Sequence, residues 1–192
     1  LTSEWNGSNI SHPAMLGLDS ASLNHVDAIT ASLQRIDLST AGHFDLAAGA
    51  ATRLIALRQS STYAEAVPAT RVQQAADNPA ALLRDYQADN THYVYAARLR
   101  GTFNSAFPER AHQAGHLAHS APNAEVVLVA DTDLLSDRLW VEPQTMLGQA
   151  MIRIFANNGD FVTNLVDNLS GSSALLSIRS RSTSQRPFTR VQ

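Results

Sequence analysis

Cysteine is absent from the 192-residue chain, which excludes disulfide scaffolds, thiolate zinc sites and cysteine nucleophiles. Lysine is absent too, so all 14 basic residues are arginine. Walker-type phosphate loops, Schiff-base chemistry and Ser-x-x-Lys acylation each need a lysine amine and fall away together. No apolar run reaches the roughly 18 residues of a membrane-spanning helix. A basic surplus is also missing. Acidic residues number 17, the formal net charge is −3, and the composition argues against a nucleic-acid partner. There is no repeat at solenoid periods. The opening Leu1-Thr2-Ser3-Glu4 has neither Met nor a signal-peptide pattern, which suggests a piece excised from a longer protein.

What is present suits one folded domain over residues 1–192. Hydrophobic residues make up 44% and charged residues 16%, enough for a core and too apolar for disorder by composition. Residues 1–40 are polar and mixed, an irregular lead-in with a short helix over Asp27–Leu33 and an extended piece after it. Four runs read as strands: Arg53–Arg58, His92–Leu99, Glu125–Ala130 and Ala174–Arg181. The third is continuously apolar, as strands buried on both faces are. Helices are expected over Pro79–Tyr86, from Asp133 into the 140s, over Gln144–Ala156, and over Asp160–Leu169. In the last, Phe161, Leu165, Val166 and Leu169 share a face and Gly171 is the stop. Residues 108–123 read as a surface loop. Strands mixed with helices define an α/β class, a layered sheet flanked by helices.

Five places carry possible chemistry. Asp131-Thr132-Asp133 follows a buried strand, where ligands bind in open α/β sheets and paired carboxylates can hold a hard cation. The plainer reading is a helix cap. His112, His116 and His119 have ligand-like spacing, but Gln113 stands where a zinc protease needs Glu, and Gly115, Pro108 and Pro122 disfavour a helix, so no metal is assigned. Asn157-Asn158-Gly159-Asp160 opens a helix, either as ordinary capping or as a set of amides facing an anion. Ser170-Gly171-Ser172 lies between helix and strand, the wrong order for a nucleophile elbow, and reads as a C-cap. Arg179, Arg181, Arg186 and Arg190 make a basic tail, giving residues 141–192 a net +2 against −5 for residues 1–140. No pair combines a nucleophile with a base, so no enzyme and no cofactor is assigned.

The stretch Val126–Val141, the run Asn157-Asn158-Gly159-Asp160-Phe161 through Asp167–Ser172 to Ile178–Arg181, and the ending Ser184–Val191 resemble the extracytoplasmic auxiliary-subunit family of ABC transporters, the uncharacterised transport system involved in gliding motility. The resemblance is close over 124–192 and looser over about 24–107. It implies a large α/β domain outside the cytoplasmic membrane, Rossmann-like or similar to amidotransferase sheets without their catalytic residues. It also implies a C-terminal membrane anchor beyond this chain, and ABC permease and ATPase subunits as partners. On that footing the chain is a periplasmic, non-catalytic module that binds a ligand or partner, with Asp131, Asp133, Asn158, Asp160, Arg179 and Arg181 as contact points. The alternatives are a hydrolase of an envelope polymer (a glycan or peptidoglycan) using Asp131 or Asp133, and a pure assembly scaffold.

Overall fold

A computed structural model describes residues 2–5, 8–146 and 148–171. The expected strand Ala174–Arg181, with Arg179 and Arg181, lies outside the described residues. The described elements are β1 (Thr2–Trp5), β2 (Ser8–Ser11), β3 (Met15–Asp19), β4 (Arg35–Ser39), β5 (Arg53–Gln59), α1 (Ala69–Gln74), β6 (Val94–Gly101), β7 (Ala124–Val129), β8 (Val141–Met146), β9 (Gln149–Ile154) and α2 (Asn158–Leu169). Strands and helices together place the chain in the α/β class.

The chain divides into two compact units, Leu1–Met15 with Thr40–Thr132, and Leu16–Ser39 with Asp133–Gln192. The first unit is built on a three-stranded sheet of order β5-β6-β7, antiparallel throughout. β6 is central, so both its edges are paired, and it buries Tyr95, Ala96, Ala97 and Arg98. The β5–β6 register is irregular at Arg58, between Ala56 opposite Ala97 and Gln59 opposite Val94, and keeps the same offset on both sides of it. The apolar run of β7 is not buried on both faces as its composition suggested. Its residues are half-buried, with Val126 exposed, because β7 is an outer strand. The segment 42–44 crosses one end of the sheet. Gly42 N–H donates to Ala130 C=O at 2.8 Å, and Phe44 bridges Val94.

In the second unit β3 pairs with β4, β8 with β9, and α2 packs on β4. Two expected helices are absent here. Asp133–Trp140 forms turns and a 3₁₀ segment at Asp137–Leu139, and 141–154 is an antiparallel hairpin. Pro143 has no N–H for a helical bond, and Gly148 turns the hairpin at φ +78°. The period-two set Val141, Pro143, Ala150, Ile152 and Ile154 then lines one face of the hairpin. Asp27–Leu33 is turned, not helical. The Asn24 carboxamide oxygen accepts from the N–H groups of Val26 and Asp27, the Asp27 carboxylate accepts from Ile29 N–H, and the backbone closes single turns, with Thr30 and Ala31 N–H donating to Asp27 C=O and Leu33 N–H to Thr30 C=O. The lead-in expected to be irregular contains β1 to β3, and the extended piece expected after Leu33 is β4. Pro79–Tyr86 shortens to a 3₁₀ turn at Pro79–Leu83.

The helix expected at Asp160–Leu169 is α2, starting two residues earlier. Gly171, at φ +84°, takes the left-handed conformation that ends it. Its buried face differs from the apolar pattern. Asn158, Phe161 and Asn164 are buried, whereas Val166 and Leu169 are exposed. All strand registers given above are antiparallel, whereas a Rossmann-like layer is built on parallel strands.

Candidate binding site

Asn158 is 0% exposed, and its carboxamide is engaged by the protein's own backbone. Nδ2 donates to Asp37 C=O at 2.7 Å and to Leu134 C=O at 2.8 Å, while Oδ1 accepts from Asp37 N–H at 3.0 Å. A carboxamide has the donors and acceptor of a peptide group, so this side chain pairs with β4 as a neighbouring strand would. Asn157 extends the pairing. Its N–H donates to Arg35 C=O, its Oδ1 accepts from Gln34 and Arg35 N–H, and its Nδ2 donates to the Asp160 carboxylate at 2.9 Å. Asn164 Nδ2 donates to Ile29 C=O at 3.0 Å. The Asn157–Asp160 turn is thus a staple between α2 and β4. Of the four, Asp160 stands in solvent.

Asp133 is paired with Arg138 at 3.1 Å, both ends substantially exposed. Asp131 belongs to the first unit and Asp133 to the second. On β4, Arg35 grips the buried Asp37 carboxylate through Nε at 2.7 Å and Nη2 at 3.0 Å. That grip raises the Arg35 pKa above its ordinary value.

In the first unit, the sheet end that carries Asp131 also carries His43, brought there by the Gly42–Ala130 bond. The His43 ring lies 4.7 Å from the Tyr93 ring, and its Nε2 is 3.3 Å from Asp45. Tyr93 Oη donates to Asp89 at 2.6 Å, and Asp89 also accepts from Ala66 N–H. The phenol donor first, and the amide second, hold the Asp89 carboxyl below its usual range; the same bond raises the Tyr93 phenol. His119 Nδ1 lies 3.0 Å from Asn104 Oδ1. Among the described residues no group of three or more His, Asp or Glu could hold a metal ion.

One face of the three-stranded sheet concentrates positive charge. By register, Arg53 lies opposite Arg100 and Arg100 opposite Glu125. The next row on that face is Ile55, Arg98 and Val127. Arg98 is buried, while Arg53 and Arg100 are exposed. Glu125 bridges two of the three, bonding Arg98 Nη1 with Oε2 and Arg100 Nε with Oε1. These arginines were not singled out as a site from the sequence. The legible signal was Arg98 and Arg100 two apart in a strand. The pairing that sets Arg53 beside Arg100 was not legible.

Residues 2–165 match the model of a family described as an ABC-type uncharacterized transport system. The chain belongs to this family, the auxiliary subunits of ABC-type transport systems. The match takes in β1 and β2, where the sequence resemblance was slight, and stops within α2. No curated protein and no solved structure matches the chain. No helix among the described residues is long and apolar enough to cross a membrane.

Proposed function

We propose that the chain is a non-catalytic binding module of its transport system, on the extracytoplasmic (periplasmic) side, in a system of the gliding-motility type with an ABC permease and ATPase as partners. The observation that carries the binding reading is the arginine face of the β5–β6–β7 sheet. Positive groups there are fixed on paired strands and outnumber the one carboxylate that the register places in their rows. Groups on strands hold their geometry better than groups on loops. Elsewhere, Asn158 and Asp133 are engaged with the protein itself, which suits packing more than turnover. The test is co-purification of the membrane-extracted parent protein with its permease and ATPase. A stable ternary complex is the expected outcome, and a tight complex with a purely cytosolic partner overturns the reading.

A second reading is favoured by one contact. The Gly42–Ala130 bond sets His43 and Asp131 at the same sheet end, so a hydrolase acting on an envelope polymer would use Asp131 with a histidine there. Turnover of peptidoglycan or glycan fragments that Asp131→Asn abolishes would establish it. A pure scaffold is the third reading, supported by the apolar hairpin face where Ile152 is 73% and Ile154 64% exposed.

A further inference from the structure

The row Arg53–Arg100–Glu125 crosses the sheet with two like charges side by side. Residues directly opposite on antiparallel strands have Cβ atoms about 4.5–5.5 Å apart, and like charges there repel. Glu125 offsets only the inner part of the row. Its Oε1 takes Arg100 Nε at 2.5 Å and its Oε2 takes the buried Arg98. Both carboxylate oxygens are therefore engaged from β6, and Arg53 lies beyond Arg100 on β5. The positive surplus falls between Arg53 and Arg100, and both side chains reach solvent.

We propose that Arg53 and Arg100 form a binding site for an oxyanion of the phosphate or carboxylate class. An anion between the two guanidinium groups turns the row into an alternation of charge: Arg53, anion, Arg100, Glu125. Glu125 holds Arg100 by Nε, which restrains the guanidinium, and the two Nη groups are the donors the ligand would take. Each arginine fork matches two oxygens of one anion. Arg98, buried behind the row and tied to the same carboxylate, keeps Glu125 in place. This inference rests on the binding reading above and narrows it to a ligand chemistry.

The experiment is a titration of the 192-residue chain with inorganic phosphate and, separately, acetate at constant ionic strength, followed by calorimetry and by the arginine Nε–Hε NMR signals. Saturable binding that shifts the Arg53 and Arg100 signals is expected. Saturation by phosphate alone assigns the phosphate source, and by acetate alone the carboxylate source. Arg53→Gln and Arg100→Gln each weaken binding about tenfold, the loss of one charge-assisted contact. Arg138→Gln, an exposed arginine on the second unit, leaves binding unchanged. Arg53→Lys keeps the charge but not the fork, and restores part of the affinity. Circular dichroism checks that each variant is folded. Linear, non-saturating shifts, equal competition by chloride, or unchanged affinity in the folded double variant overturns the site. Loss of oxyanion binding with the transport complex intact removes this site alone. Loss of the complex with oxyanion binding intact removes the transport-module reading alone.

Discussion

Replacing Asn158 with alanine tests the staple directly. The substitution removes three hydrogen bonds at a side chain 0% exposed to solvent. Each such bond contributes about 0.5–1.5 kcal/mol net, but the groups left behind matter more. Asp37 N–H and C=O and Leu134 C=O all lose this partner, and an unsatisfied buried polar group costs about 1–3 kcal/mol. Some relaxation, or entry of a water, recovers part of that. The expected loss is therefore about 4 kcal/mol, at the large end for a single substitution. In urea, with a slope of about 2 kcal/mol/M, the midpoint falls by about 2 M at unchanged slope. Amide exchange at Asp37 accelerates in the same variant, a local readout that general destabilisation spread over the unit would not single out. Asn158→Asp keeps the acceptor for Asp37 N–H but points a carboxylate at two carbonyl oxygens, so it destabilises at least as much at neutral pH. A loss below about 1 kcal/mol in Asn158→Ala, with Asp37 exchange unchanged, would refute the reasoning.

Glu125→Gln leaves Arg98 buried without its carboxylate and lowers stability by about 3 kcal/mol, read by urea unfolding; a neutral result would mean that Glu125 is not what balances Arg98. Gly159→Ala sets a Cβ 2.8 Å from Trp140 Cζ3. Alanine favours a helix by about 1 kcal/mol, but overpacking against an aromatic ring costs about 1–3 kcal/mol, so the variant is less stable and shifts Trp140 fluorescence. The Asp89 carboxyl, held low first by Tyr93 and then by Ala66 N–H, stabilises the fold while ionised. That contribution is present above the ordinary carboxylate range and disappears as pH falls through the lowered folded value. Asp89→Asn flattens the acid limb of a melting-temperature profile, and an unchanged limb counts against the assignment.

Recognition within the first unit followed local signals. Arg53–Arg58 and His92–Leu99 are short, β-branched or aromatic, and bounded by polar residues, and both became strands. Asp160 and Gly171 bracketed α2 because an acidic first turn and a left-handed stop are chemistry of a few neighbouring residues. The Val126–Val129 run misled on burial. A continuous apolar run does not record how many neighbours a strand has, and β7 has one. Across 133–156, good helix formers such as Leu, Gln, Ala and Met outweighed two interruptions, Pro143 and Gly148, that decided for a hairpin.

The sequence by itself determined the α/β class, the three strands of the β5–β6–β7 sheet, the last helix and the membership of an ABC transport family, all of which rest on patterns a few residues long or on motifs in order. Only the tertiary structure decided that α2 buries asparagines. A carboxamide is stable inside only when distant carbonyls and amides (Asp37, Leu134 and Ile29) arrive to meet it, and those partners are more than twenty residues away in every case. The arginine face has the same origin. Arg53 and Arg100 are neighbours because two strands pair in one register, and a charge 47 positions away in the chain leaves no mark on the local pattern.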